Sequence, residues 1–359
     1  MTRATAPLCM PAEWEPHRAT WICWPHHEPD WPGKLAAIPW VYAEIARIIG
    51  RHEPVEILCH TEDVRESARE ALAVNGVPPD HTRLHVVPTD RVWLRDSAPT
   101  AVHDPSGEVL LLNWAFDGWS KYDNWRQDVG VGPAIAHITG LRRLEPQRPG
   151  SAERLVLEGG GIETNGNGLL LVTEEWLLTD VQVRNPGLTR ADYEALFTQW
   201  LGTRRTIWLG EGCVGDDTHG HIDDIARFVA PDTVVLAVER DPADDNHERS
   251  IDNLRRLKAA SADPSVGPLR VVELPFPSPV RWHDERLPAS YANFYIANGL
   301  VVMPTFNDPK DRVALGILAA VFPDREVVGL HAVDLVLGLG TLHCLTQQEP
   351  APRGVRIRR

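Results

Sequence analysis

Four residues of this chain offer the most chemistry: Cys344, His221, Asp96 and Asp223. Cys344 closes the stretch Gly338-Leu339-Gly340-Thr341-Leu342-His343-Cys344, near the C-terminus. The two glycines permit torsions that other residues resist, which predicts a sharp turn and an accessible thiol. A buried free cysteine, the commoner fate of this residue type, is the plainer alternative. His221 lies in a second turn-like stretch, Asp216-Asp217-Thr218-His219-Gly220-His221-Ile222-Asp223-Asp224. A thiol and a histidine make a nucleophile with its acid/base partner. A free thiol, with a reference pKa of about 8.5, is mostly protonated at neutral pH and needs a nearby base or cation. Asp96 and Asp223 are poor company for a thiolate unless the substrate is a cation. Carboxylates accept paired N–H bonds from a planar guanidinium, and the bound cation then supports the thiolate. An ester or amide hydrolase would want oxyanion donors, and none stands out. If the four residues converge, the chemistry is attack on a guanidinium carbon.

Other stretches could build the walls of such a site. Asp90 to Thr100 carries Trp93, Arg95 and Asp96; alone, it reads as a solvated turn with local ion pairs. Phe116 to Trp125 is an aromatic and acidic loop, with Asp117 and Trp119, that could face a cation or simply pack. Glu158 opens a run of three glycines that no GxGxxG-then-helix pattern explains. That run leads into a hairpin turning at Asn165-Gly166.

The elements that must hold these stretches alternate between strand and helix. Apolar spacing predicts a helix over Lys34 to Ile49 and strands over Val55 to Cys59 and Leu84 to Val87. Thr61 caps a helix to about Val74, and a weaker helix covers Asp128 to Ile138. Thr189 to Leu201 is the clearest helix, closed by Gly202. Strands at Glu108 to Trp114, Ile207 to Leu209, Ile225 to Val229, Val234 to Val238 and Glu326 to Leu330 follow the same reading. His247 to Leu257 is helical, and Tyr291 to Ile296 pairs with Leu300 to Met303 across Asn298-Gly299. Asp308-Pro309 opens a helix to about Phe322, with cap and first-turn proline in place. The first thirty residues, crowded with tryptophan and proline, read as irregular, with Trp14 and Trp31 as packing anchors. Helix starts recur at a spacing of roughly sixty residues, which suggests a cyclic repeat.

Composition sets outer bounds. The 359 residues are 43% hydrophobic and 24% charged, the profile of a globular protein with a full core. A net charge of −14 disfavours nucleic acid and suits cationic ligands. The five cysteines, Cys9, Cys23, Cys59, Cys213 and Cys344, are odd in number and scattered, without disulfide or metal-ligand spacing. No apolar run has membrane-span length, and Met1 to Pro7 lead to no signal-peptide core, so a cytoplasmic protein is expected.

Six motifs carry a resemblance over nearly the whole chain: Met10-Pro11-Ala12-Glu13-Trp14-Glu15-Pro16-His17, Trp93-Leu94-Arg95-Asp96, Leu157-Glu158-Gly159-Gly160, Asp217-Thr218-His219-Gly220-His221-Ile222-Asp223, Ala289-Ser290-Tyr291-Ala292-Asn293-Phe294-Tyr295 and His343-Cys344-Leu345-Thr346-Gln347-Gln348. On these the chain resembles the agmatine deiminase family, relatives of bacterial peptidylarginine deiminases in the guanidino-group-modifying superfamily. The resemblance implies an α/β fold, a five-bladed pseudo-symmetric α/β propeller (pentein), as one domain over 1–359. It implies Cys344 as nucleophile, His221 as acid/base, and Asp96 and Asp223 as guanidinium clamps. It further implies a substrate-binding set of Trp93, Trp119, Asp117, Glu158, Asn293 and Asp217. The reaction implied is agmatine to N-carbamoylputrescine plus ammonia, within putrescine and polyamine biosynthesis, through an amidino-cysteine. The implied partners are a small cationic guanidino substrate and further copies of the chain as a homo-oligomer, with no metal, cofactor, nucleic acid or membrane.

The chain departs from the family pattern at Ser97-Ala98, Gly161-Ile162-Glu163, His219 and the cysteine turn. Those departures leave the substrate's far end open. Glu163 is one more acidic candidate for an amine end, and Arg95 the cation that a carboxylate-ended arginine would want. The alternatives are therefore a deiminase of arginine, of peptide-terminal arginine or of another guanidino metabolite, and a non-catalytic guanidinium-binding protein.

Overall fold

The computed structural model describes residues 8–355. Residues 1–7, from which no signal peptide was expected, and residues 356–359, within the single domain expected over 1–359, lie outside the described residues. The fold is α/β, with mixed sheets and helices alternating along the chain.

Four three-stranded sheets repeat one plan: an antiparallel pair, a helix, then a strand parallel to the second. The first has strands Thr100–His103, Val109–Leu112 and Arg142–Leu144 with helix Val131–Thr139. The second has Glu163–Thr164, Leu169–Thr173 and Arg205–Leu209 with helix Arg190–Leu201. The third has Ala226–Ala230, Thr233–Val238 and Arg270–Pro275 with helix Asn246–Ser261. The fourth has Tyr295–Ala297, Leu300–Thr305 and Glu326–His331 with helix Asp311–Val321.

A fifth sheet joins the two ends of the chain. Strands His17–Cys23, Val55–Cys59 and Thr82–Val86 run parallel, linked by helices Ile38–Ile49 and Glu62–Val74. The strand Gln347–Pro350 then pairs antiparallel with His17–Cys23.

Local chemistry accounts for these elements. Val234-Val235-Leu236-Ala237-Val238 is buried throughout, as a strand covered on both faces must be. Helix Arg190–Leu201 starts at a full capping box between Thr189 and Asp192 and stops at Gly202, whose φ is +71°. It buries Tyr193, Leu196, Phe197 and Leu201, each worth about 1.5–3 kcal/mol on leaving water. Thr61 accepts from Val64 N at 3.3 Å, as its capping role requires.

Several expectations need correction. Helix Ile38–Ile49 begins at Ile38 rather than Lys34, with a proline in its first turn and a 3-10 turn, Leu35–Ala37, before it. Strand His17–Cys23 occupies part of the segment expected to be irregular. Helix Asp311–Val321 follows Lys310 without a side-chain cap, while Asp308 instead accepts from Ser278 N and Lys310 N. The strand expected from Tyr291 begins only at Tyr295, because the residues before it form a turn. Strands Thr100–His103, Arg142–Leu144, Arg270–Pro275 and Gln347–Pro350 went unforeseen.

The five connections between successive sheets carry the short turns Leu94–Ser97, Gly159–Gly161, Ile222–Asp224, 290–294 and Leu342–Leu345. These turns meet: Leu94–Ser97 touches both Leu342–Leu345 and Gly159–Gly161, which touches Ile222–Asp224. Cys344, His221, Asp96, Asp223, Glu158, Asn293 and Trp93 sit on one of them or directly beside it, whereas Asp117 and Trp119 lie on the loop after strand Val109–Leu112.

Candidate active site

The turn before Cys344 is shaped by two tryptophans. A Cβ on Gly338 would lie 2.8 Å from Trp93 and 2.9 Å from Trp31, and one on Gly340 would lie 2.8 Å from Trp93. The glycines therefore let backbone approach aromatic rings, and the left-handed torsion expected of them falls on Leu339, at φ +69°. Asn293 ties the far side. Its Oδ1 accepts from Thr341 Oγ1 at 2.7 Å and from His343 N at 3.1 Å, and its Nδ2 donates to Cys344 Sγ at 3.1 Å. Asn293 thus organises the cysteine turn. Cys344 is buried, yet its side chain lines a narrow cavity.

His221 is delivered by Asp216, whose carboxylate accepts from Thr218 N at 2.8 Å, Gly220 N at 3.0 Å and His221 N at 2.9 Å. Its ring stands edge-on to Trp176 at 5.6 Å. Nδ1 is 3.8 Å from Asp96 Oδ1 and Nε2 is 3.6 Å from Glu158 Oε2, so neither nitrogen has a hydrogen-bond partner. Burial works against a charge here, but the Asp96 and Glu158 carboxylates prevail and raise the imidazole to about 9. Glu158 is held in turn by Arg184 Nε at 3.0 Å and Trp176 Nε1 at 2.7 Å. Burial would raise its carboxyl, but Arg184 and His221 bring it down to about 2.

The glycine run after Glu158 has a clear reason. A Cβ on Gly160 would meet His221 Nδ1 at 2.6 Å, Asp96 Oδ1 at 2.9 Å and Asp223 Oδ2 at 3.2 Å. Only a bare backbone passes among those three side chains. Gly160 N donates to Asp96 Oδ1 at 2.9 Å, and Trp119 Nε1 donates to Asp96 Oδ2 at 2.9 Å. Burial, offset in part by His221, pushes Asp96 up to about 6. The stretch expected to be a solvated turn is instead a buried helical turn, Leu94–Ser97, so its charges must be paired.

Asp223 lies against the thiol, with Oδ2 3.6 Å from Cys344 Sγ and 2.7 Å from His343 Nδ1. Burial opposes its charge, but His343, His221 and Arg227 hold it below the usual carboxylate range. Its Oδ1 is buried without a partner. Burial drives the Cys344 thiol well above its ordinary value, and Asp223, Asp224 and Asp96 drive it further. These surroundings favour the neutral form of the Cys344 thiol and the cationic form of the His221 ring.

The cavity above the thiol is lined by Trp93, Trp119, Asp96, Asp217, Arg91 and Leu339, among others. Tyr122 and Lys121 hold Asp217 at its rim. The structure does not bring Asp117 into this lining: its oxygens accept from Ser120 N at 2.8 Å and Ser120 Oγ at 2.7 Å and shape the loop. Glu158 and Asn293 act on His221 and the cysteine turn rather than on the cavity wall. Glu163 is buried and paired with Arg227 Nε at 2.7 Å and Phe228 N at 3.0 Å, away from that wall. Arg95 is spent on Gln348, Glu13 and the His343 carbonyl; the cation in the lining is Arg91, which lies over the Tyr122 ring at 4.2 Å. His219, at φ +66°, meets Thr179 Oγ1 at 3.0 Å.

Residue-type reasoning passed over Glu13, His343, Arg184 and Arg227. Two of them lay inside quoted motifs, Glu13 in the first and His343 beside the cysteine, without a role. Donor atoms of Asp223, Asp224 and Cys344 lie within 4.8 Å of one another, the one such grouping among the described residues. Asn293 Nδ2 already donates to both the Cys344 sulfur and Asp224, which engages lone pairs that a cation would use. No helix among the described residues is long and apolar enough to cross a membrane, and all five cysteines are unpaired.

Over residues 9–350 the chain matches the family of Porphyromonas-type peptidyl-arginine deiminases. It is 36% identical to an agmatine deiminase of Ectopseudomonas mendocina, with 96% of each chain covered, and 36% identical to one of Pseudomonas aeruginosa at the same coverage. The solved structure of an agmatine deiminase of Enterococcus faecalis, described as catalysing its reaction, superposes with a TM-score of 0.87 at 28% identity and covers 98% of each chain.

Proposed function

Since the chain belongs to the Porphyromonas-type peptidyl-arginine deiminase family, we propose that its substrate is agmatine, which it hydrolyses to N-carbamoylputrescine and ammonia. Members of this family act on guanidino groups, and the chain is an enzyme of that kind, a hydrolase of linear amidines.

One observation carries the reading furthest: the buried, unpartnered Asp223 Oδ1, on the carboxylate that lies against the Cys344 thiol, and the buried, unpartnered His221 nitrogens. Buried polar atoms without a protein partner call for an explanation, and a polar ligand supplies one here. A guanidinium between Asp96 and Asp223 offers the N–H groups they lack. Its positive charge offsets the carboxylates that hold the Cys344 proton in place, and the thiol loses that proton to water. The thiolate adds to the guanidinium carbon. The cationic His221 protonates the departing nitrogen, ammonia leaves, and an amidino-cysteine remains. His221, now neutral, takes a proton from the attacking water. The second tetrahedral adduct expels the Cys344 thiolate, its O–H proton passes to that thiolate, and the ureido product leaves with Cys344 restored as a thiol. Trp93 and Trp119 flank the carbon chain, and Asp217 at the rim meets the ammonium end.

Arg91 favours a second reading. A cation in the cavity lining suits a guanidino acid such as arginine or a peptide-terminal arginine, although Arg91 Nη2 is already paired with Asp30. We also read the five sheets as blades around one axis in a single domain over 1–359. Their repeated strand order and the pairing of the two chain ends support this. The unpaired cysteines suit a reducing cytoplasm. A homo-oligomer follows the family resemblance.

The test is ammonia and ureido release from agmatine, L-arginine and an arginine-ended peptide, with Cys344→Ala as the blank. Agmatine turnover alone supports the amine-ended pocket. Arginine turnover moves the assignment to the Arg91 reading, and wild type equal to the blank on all three removes the enzyme.

A further inference from the structure

His343 precedes the proposed nucleophile and is as deeply buried as His221. Its Nδ1 lies 2.7 Å from Asp223 Oδ2 and its Nε2 lies 2.8 Å from Glu13 Oε2. A neutral imidazole carries one N–H and leaves the other nitrogen as an acceptor. A carboxylate at each nitrogen, at these distances, is met only by a ring that carries both N–H groups. Glu13 is a fixed anchor: its other contacts are Arg95 at 3.2 Å, Arg227 at 2.8 Å and Ile296 N at 2.8 Å. A chain of contacts therefore runs Glu13–His343–Asp223–Cys344 through the heart of the site.

We propose that His343 is a positioning residue for the reaction: it donates to Glu13 and to Asp223 Oδ2, so that Asp223 Oδ1 is left to meet the guanidinium. The unpartnered state of Oδ1 is the second observation on which this stands. Without His343, Asp223 is free to turn toward the thiol, and its charge has no neighbour on the side away from the cavity. The other charged groups near His343 are Arg95, on its carbonyl oxygen, and the Arg227–Glu163 pair behind Glu13. His221 and Asp224 act on Asp223 from its own loop, with opposite signs. None of these occupies the place of the His343 ring.

The kinetic arm rests on the deiminase reading, and two further arms do not. In the first, His343→Gln keeps a single amide donor. The KM for agmatine is expected to rise about tenfold or more, with a smaller change in kcat, because the loss falls on substrate binding. The acid limb of kcat/KM is expected to move up by about one unit, since a carboxylate that loses a cationic neighbour protonates more readily. In the second, iodoacetamide alkylation of Cys344 without substrate, corrected with Cys344→Ala, is expected to slow about tenfold near neutral pH. The thiolate then faces Asp223 with no compensating charge. In the third, nitrogen-15 spectra of the wild type are expected to show both ring nitrogens of His343 as N–H. That measurement stands even if the variant does not fold.

A folded His343→Gln with unchanged KM, acid limb and alkylation rate overturns the proposal. So does a wild-type His343 ring with one bare nitrogen. Absence of turnover in the wild type would sink the deiminase reading alone, leaving the alkylation and nitrogen arms to decide on His343.

Discussion

Two buried histidines, His343 and His221, both act on Asp223, and the structure treats them in opposite ways. His343 has a carboxylate within 2.8 Å of each ring nitrogen. His221 has its nearest carboxylates at 3.6 and 3.8 Å and no hydrogen-bond partner at either nitrogen. The first ring is fully engaged and cannot pass a proton without breaking one of those contacts. The second is surrounded by negative charge but left unbonded, which keeps it cationic and free to deliver a proton. On the proposed mechanism, gripping a cation and moving protons are divided between one saturated and one unsaturated imidazole.

The largest expected effect follows from the free ring. His221→Gln should lower kcat by about 10²- to 10⁴-fold, the usual worth of a positioned acid/base, with little change in KM. A variant within threefold of wild type, on the order of 0.7 kcal/mol, would erase the contrast. The next effect is on grip. Asp96→Asn should raise the KM for agmatine about tenfold or more while stabilising the fold. Asp96 sits at about 6 in the folded protein, above its ordinary value, because burial disfavours its charge. A carboxyl raised on folding contributes stability at low pH, and that contribution is lost as pH climbs through about 6. At neutral pH the variant should therefore gain on the order of 1 kcal/mol, read as a higher melting temperature that converges with wild type in acid. A lower melting temperature at neutral pH would mean that the Gly160 and Trp119 bonds to Asp96 outweigh its desolvation.

Glu158→Gln sharpens the contrast without touching the thiol. Glu158 and Asp96 together hold His221 at about 9, so the alkaline limb of kcat should lie near that value in wild type. Removing one anion should move the limb down by about one unit. An unmoved limb would assign the acid to another group. The smallest effect is expected at Asp117. Its oxygens are committed to Ser120, so Asp117→Asn should alter KM by no more than about twofold. A tenfold change would return it to the cavity wall.

The contrast between the histidines also marks how far a sequence can be read. The convergence of Cys344, His221, Asp96 and Asp223 was legible because thiol, imidazole and paired carboxylates on turns have few other uses together, and the structure brings them near one another. The six longer helices were legible, that ending at Ile49 from its apolar spacing and those after Thr61 and Thr189 from their caps. His343 was not, because its meaning depends on Glu13, which lies 330 positions away in the chain. Asp117 and Glu163 were read as pocket acids because a side chain's local partner, Ser120 in one case and Arg227 in the other, is invisible until the fold is known. Gln347–Pro350 has no strand signature of its own, and it is a strand because His17–Cys23 offers it an edge. The glycines at 160, 338 and 340 signalled a backbone requirement, but whether torsion or close approach was demanded depended on the rings and carboxylates packed against them.

The measurement that reaches the central claim most directly is the intact mass of wild-type protein quenched in acid during agmatine turnover, followed by peptide mapping. The expected result is a fraction of chains heavier by agmatine less ammonia, with the added mass on Cys344, absent in Cys344→Ala and absent without substrate. Steady ammonia release with no adduct on Cys344, and undiminished release by Cys344→Ala, would contradict the covalent account and leave the thiol a bystander.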